Sequence, residues 1–230
     1  MKASRRRLII AAGLGFLGLA PGVAYTYSLL QPVRHWLATP IQICVTGPGH
    51  ASITADDPDG GVAATIQALN NSHPLLAGTG WNVVGPVGNV TNAYNCNLPW
   101  QLGDGRPTIA FNEMIPGTCS GSCLAATFVG FYHCNDARHP DGHCLIDDSD
   151  VETRRNTRDK WGGPYYSLYE LCRSGKEWNI EAIMVHEVGH VIGLGHSSVS
   201  GATMYPSVSS CNPSPSTLSS DDANGVDALY

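Results

Sequence analysis

Charge is scarce in this 230-residue chain: 14% of its residues are Asp, Glu, Lys or Arg. What charge there is leans negative, to a net −6. A chain of that sign has no general attraction to phosphate backbones, so no nucleic-acid partner is expected. Internal repeats and low-complexity tracts are absent. A helical bundle is excluded on other grounds, because 26 glycines and 15 prolines interrupt helices too often. The ordinary apolar fraction and the length then point to one loop-rich domain.

The N-terminus reads as a targeting segment. Lys2, Arg5, Arg6 and Arg7 make a positive region, Leu8 to Ala20 an apolar one, and Gly22-Val23-Ala24 a small-residue site that predicts cleavage after Ala24. Ser4-Arg5-Arg6-Arg7-Leu8-Ile9 is similar to a twin-arginine export signal. The competing reading is a retained anchor, because Leu8 to Leu30 is uncharged and long enough to span a bilayer. Pro21 and the hydroxyls of Tyr25 to Ser28 favour cleavage. Residues 1–24 are therefore expected to leave, 25–40 to be a linker, and 41–230 to fold. Losing the four cations takes the net charge from −6 to −10. The expected location is extracellular; membrane association follows only if the segment stays uncleaved, as an anchor facing outward.

Eight cysteines behind an export signal read as a disulfide framework. Cys119 with Cys123 and Cys134 with Cys144 are the local pairings expected. The pairing of Cys44, Cys96, Cys172 and Cys211 stays open. Cys119-x-x-x-Cys123 lacks a second pair at finger-like spacing, so a cysteine metal site is not favoured.

Along the chain, Ile41 to Val45 reads as a first strand, and Asp59-Gly60 precedes a helix over Val62 to Leu69. Trp81 to Val84 and Val87 to Val90 are short strand candidates, and 91–107 reads as a loop. Thr108 to Asn112, Leu124 to Tyr132 and its hairpin partner Gly142 to Ile146 are strands. Residues 151–178 read as a solvated loop with a short helix, Tyr166 to Arg173. Asn179 caps a helix over Ile180 to Leu194. A final helix starts near Ser219, with Asp222 three residues on, and runs to Tyr230.

That central helix carries His186-Glu187-Val188-Gly189-His190-Val191-Ile192-Gly193-Leu194-Gly195-His196. His186 and His190, four apart, share one helix face one turn apart, where two imidazoles can grip one metal ion. Gly193 and Gly195 let the chain turn and bring His196 round as a third ligand. Three histidines with the fourth position open describe a catalytic zinc site. Glu187 is badly placed to ligate and well placed to move a proton as general base. The bland alternative, a core helix with histidines on its polar edge, does not account for the glycines and third histidine at these offsets.

The motif resembles H-E-x-x-H-x-x-G-x-x-H of the metzincin zinc endopeptidases. Met204 in Ala202-Thr203-Met204-Tyr205-Pro206 supplies the downstream methionine turn. Ser197 after the third histidine, Met204-Tyr205-Pro206 and the closing stretch Leu218 to Tyr230 resemble the matrixin branch. The likeness is tight over 178–230 and is a matching order of elements over 41–150. It implies an α+β zincin-like fold: a twisted, mixed, five-stranded sheet, three main helices and a cleft.

The resemblance further implies a zinc endopeptidase acting on protein or peptide substrates as a monomer. Met204 would lie beneath the imidazoles. The substrate would run along Leu124 to Phe131 past Ala125 and Ala126, and Tyr205 and Pro206 would wall the specificity pocket. No P-R-C-G-x-P-D segment stands between Ala24 and Ile41, so latency by a thiol on zinc is not expected. Ala126 and Leu145 occupy the places where animal matrixins carry histidines for a second, structural zinc, so that site is not expected either.

Two further metal sites are open. His133, Asp136, His139, Asp141 and His143 crowd one loop, although a polar hairpin held by Cys134–Cys144 is the favoured reading. Asp147, Asp148 and Asp150 offer oxygens that suit calcium. The alternative to an enzyme is an exported, zinc-containing, non-catalytic binding domain at the cell surface.

Overall fold

In chain order the computed structural model has β1 (Arg6–Ala11), β2 (Arg34–His35), β3 (Ile41–Val45), α1 (Val62–Leu69), β4 (Thr91–Asn95), β5 (Thr108–Ala110), β6 (Ala125–Tyr132), β7 (Cys144–Thr153), β8 (Tyr165–Ser167), β9 (Glu177–Asn179), α2 (Ile180–Val191) and α3 (Ser220–Asp227). It describes residues 6–11, 27–50, 53, 57–70, 72, 81, 90–111, 123–132, 134, 142–153, 165–167, 177–212 and 218–230.

The expected mixed sheet is there, in the order β4-β3-β5-β7-β6. β3 pairs in parallel with β4 and β5, β5 in parallel with β7, and β6 antiparallel with β7. Two strands add to the expected five. β2 pairs in parallel with the start of β7, and β1 runs antiparallel along the outer side of β6, from Arg6 opposite Phe131 to Ala11 opposite Ala126. β8 and β9 form a separate parallel pair.

α1 and α2 pack against the sheet. Ile43, Val45, Ile109 and Val151 of the strands share a buried cluster with Val185, Val188 and Met184 of α2 and Val62 and Leu69 of α1. Each such aliphatic side chain contributes about 1.5–3 kcal/mol through burial. Asp59 starts α1 as expected: its carboxylate accepts from the backbone N–H groups of Gly61, Val62 and Ala63. Asn179 Oδ1 accepts from Ala182 N at 2.8 Å and starts α2. Among the described residues, no helix is long and apolar enough to cross a membrane.

Several local expectations need correction. Residues 91–95 are not loop but β4, with Thr91 and Ala93 buried and Asn92 and Tyr94 turned outward. Asparagines and small buried side chains give an edge strand a weak sequence signal. β7 does not stop at Ile146. It runs on to Thr153, and Asp148, Ser149, Asp150 and Glu152 are buried within it, which polarity alone argued against. The segment 151–178 is likewise not all solvated loop: Val151 to Thr153 is buried strand, and Tyr165–Ser167 is β8 where a helix was expected to begin. α2 ends at Val191 and α3 at Asp227, each about one turn early, as helix ends often do.

Two disulfides lie within the described residues. Cys134–Cys144 is the expected pair, and Cys44–Cys96 joins the strand end of β3 to the chain after β4. Cys123 and Cys211 are also disulfide-bonded. Residues 82–89, 112–122 and 168–176, with the strand and helix expectations there and Cys119 and Cys172, lie outside the described residues, as does most of 1–24.

The stretch expected as a linker packs on α2 and the turn after it. Leu30 N donates to Gly193 O and Gly195 N donates to Ser28 O, so residues 28–30 brace the turn after α2. Trp36 Nε1 donates to Val191 O at 2.8 Å. The Tyr230 hydroxyl donates to Ile192 O at 2.9 Å and accepts from Trp36 N. These donors satisfy carbonyls that the end of a helix leaves without an internal partner.

Candidate metal centre

α2 carries His186, Glu187 and His190, and the chain then reverses within five residues. Ile192 N donates to Val188 O and Gly193 N to His190 O, closing the last turn. Gly193 has φ +109°, a conformation side chains avoid, and a Cβ there would also collide with the Arg34 carbonyl. Glycine at 193 therefore answers to both backbone angle and space. The reversal delivers His196 to the other two rings, with ring centroids 5.0, 5.4 and 4.8 Å apart for 186–190, 186–196 and 190–196.

The ring orientations suit a metal. His186 Nδ1 lies 2.6 Å from Thr203 O, and His190 Nδ1 lies 2.8 Å from Leu194 O. A carbonyl can only accept, so each Nδ1 carries the proton and each Nε2 presents a lone pair. His190 Nε2 and His196 Nε2 are 3.2 Å apart. Two nitrogens bound tetrahedrally at roughly 2.0–2.1 Å from one zinc would be about 3.3 Å apart. His186 Nε2 is buried with no hydrogen-bond partner, which an ion would supply. Burial, then the charge of its neighbours, holds His190 well below the ordinary histidine range and His196 at about 4. Both are thus neutral, as ligands must be. Among the described residues, this is the one group of three His, Cys, Asp or Glu whose ligand atoms converge within 4.8 Å. The donor set fits zinc.

Met204 packs against α2 at Gly189. A Cβ at Gly189, between the two helical histidines, would strike Met204 Sδ and the Trp81 ring. The methionine turn is tied down from two sides. Ser197 N donates to Met204 O, and the Ser197 hydroxyl donates to Asp221 at 2.5 Å. The Asp222 carboxylate accepts from Thr203 N at 2.9 Å, Met204 N at 3.1 Å and Ser219 N at 2.9 Å. One side chain thus completes the capping box of α3 and holds the turn.

Glu187 is 3% exposed. Burial pushes its carboxyl above the ordinary range, against the opposite pull of His186 and of a hydrogen bond from Thr127. The Matrixin family profile matches residues 112–230, just over half of the chain. The chain belongs to the matrixin family. Among curated relatives, Metalloendoproteinase 4-MMP of Arabidopsis thaliana is 48% identical over 52 residues, 23% of this chain and 15% of that protein. Matrix metalloproteinase-27 of Homo sapiens is 38% identical over 58 residues, 25% of this chain and 11% of that protein. Matrilysin of Rattus norvegicus is 34% identical over 71 residues, 30% of this chain and 27% of that protein. The chain thus spans less than a third of these relatives' lengths.

For a matrixin, the other expected site residues fall as follows. Ala125 and Ala126 are buried in β6, and Tyr205 and Pro206 are half-buried just after Met204. His133, Asp136, His139 and Asp141 lie outside the described residues. His143 lies against His35, with ring centroids 5.6 Å apart. Asp148 and Asp150 are buried beside the loop carrying Asp104, and Gly103 N donates to Asp150. Burial, reinforced by neighbouring acids, pushes Asp148 to about 6 and Asp150 to about 8. Asp221, Asp222 and Thr127 escaped the sequence reading as parts of the site. Ser219-x-x-Asp222 marked a helix cap, but nothing local marks a cap that also grips a turn upstream.

Proposed function

We propose that this matrixin domain is a secreted zinc endopeptidase, with His186, His190 and His196 holding the ion and Glu187 as general base. The observation that carries the reading is the convergence of three imidazoles, with the Nδ1 protons of His186 and His190 fixed by backbone carbonyls. Bound there, zinc supplies Lewis acidity, lowering the pKa of a water to about 7 and polarising the scissile carbonyl. The chain's own residues do the rest. Glu187 takes the proton of the attacking water and returns it to the leaving amine. The backbone carbonyls of Thr203 and Leu194 orient the His186 and His190 rings. Met204, wedged against Gly189, keeps the floor apolar.

The substrate is an extended peptide that adds to β6 by backbone hydrogen bonds, passing Ala125 and Ala126, with its side chain after the scissile bond against Tyr205 and Pro206. The pairing of β1 with Ala126–Phe131 supports this, because it is the same mode of addition to the same edge. Export with cleavage after Ala24 fits the disulfides, which persist in oxidising compartments. Calcium is proposed at Asp148 and Asp150, each with a buried carboxylate oxygen lacking a hydrogen-bond partner.

Replacement of Glu187 by Ala tests the enzyme. Peptide hydrolysis should fall by at least about a hundredfold while one zinc per chain remains, measured by metal analysis. Retained hydrolysis would remove Glu187 from the mechanism. Zinc without any hydrolysis in the unaltered protein would favour the exported binding domain instead.

A further inference from the structure

We propose that Thr127 of β6 is the positioning residue for Glu187, an inference that rests on Glu187 being the general base. The Thr127 hydroxyl lies 2.6 Å from Glu187 Oε2 and 3.2 Å from the Glu187 carbonyl oxygen. A hydroxyl has one hydrogen to give. A buried threonine needing only an acceptor could have been satisfied by that carbonyl, yet the shorter contact is to the carboxylate. Its length is that of a charge-assisted O–H···O⁻ bond. Thr127 is fully buried, so water does not compete.

The donor is rigid and the acceptor is not. Threonine is β-branched and stiff about χ1. Its backbone is held against Val151 of β7 in the sheet register. A glutamate on a helix has three rotatable bonds, and a general base must present one oxygen in one direction. Engaging Oε2 from the sheet commits Oε1 to the reacting water and removes the rotation that would exchange them. The same residue lies on the edge where the substrate strand adds, so the position of the base is set by the strand that aligns the peptide. A 2.6 Å bond between substrate edge and base spares the reorientation of a loosely held carboxylate.

Thr127→Ser and Thr127→Ala test this together. Both lose the methyl group and differ only in the hydroxyl, so a shared packing defect cancels between them. Thr127→Ser should keep kcat within about threefold of the unaltered enzyme. Thr127→Ala should lower kcat a further tenfold or more, with KM within about twofold and one zinc still bound. A readout independent of activity is urea unfolding of the metal-free protein. Loss of the Thr127 hydroxyl should shift the unfolding equilibrium about tenfold when Glu187 is present and by much less in Glu187→Ala. Equal kcat for the Ser and Ala variants, or additive effects on unfolding, would overturn the assignment. If Glu187→Ala is inactive while the two Thr127 variants match, only the role of Thr127 fails. If Glu187→Ala stays active, the base assignment fails and takes this inference with it.

Discussion

Gly189 sits between His186 and His190, and its missing side chain lets Met204 reach the helix. A Cβ there has no room, because Met204 Sδ and the Trp81 ring already fill the space. Gly189→Ala should destabilise the fold by about 1–3 kcal/mol, the usual cost of overpacking, despite the better helix propensity of alanine. It should also weaken zinc retention, because relief requires the helix to move off the methionine turn. Thermal unfolding with and without a chelator would measure both. Sequence made Gly193 intelligible as a turn residue, whereas the motif assigns no role to Gly189. The difference is physical: a positive φ after a helix is a local property, and collision with a residue fifteen positions away is not.

At the scale of elements, the site is three segments pinned together. α2 supplies two imidazoles, the turn after it the third, and α3 anchors the methionine turn through Asp222. Asp222→Ala removes a helix cap and leaves two buried N–H groups of Thr203 and Met204 without their acceptor. A loss of about 3 kcal/mol is expected in urea unfolding. Asp222→Asn keeps the shape and one acceptor oxygen and should cost less than half as much. The caps at Asn179 and Ser219 were legible because a cap is read within four residues. β4 was not legible, and neither was the extent of β7. In both, polar side chains are carried by pairing with neighbours distant in sequence, here Asp150 beside Thr108 and Phe128.

Across the whole molecule, two features govern stability and access. The Asp150 carboxyl stands at about 8 in the folded protein against an ordinary 3.8, raised by burial and by Asp148, Asp104 and Glu152. Between those values the folded state holds the extra proton, so stability in chelator should fall as pH rises from about 4 to about 8. Asp150→Asn should flatten that fall, as read from urea midpoints across pH. Added calcium should raise the thermal midpoint of the unaltered protein at pH 8 and leave Asp150→Asn unmoved. The second feature is β1, which covers the outer side of β6 where a peptide would add. Protein lacking residues 1–24 should hydrolyse a peptide faster than protein retaining them, since both strands compete for one set of backbone groups. Equal rates would show that the peptide uses another edge.

The sequence by itself determined the candidate metal centre, because a helix converts a spacing of four into one face, and glycines convert the next six residues into a return. It also determined the family, through residues 178–230. Only the tertiary structure decided what holds these groups still. The Thr127 hydroxyl on Glu187, the Asp222 carboxylate on the methionine turn, the braces from residues 28–36 and the burial of Asp150 all join residues far apart along the chain. Such contacts leave no periodic or local trace, because each depends on the path of the backbone between them.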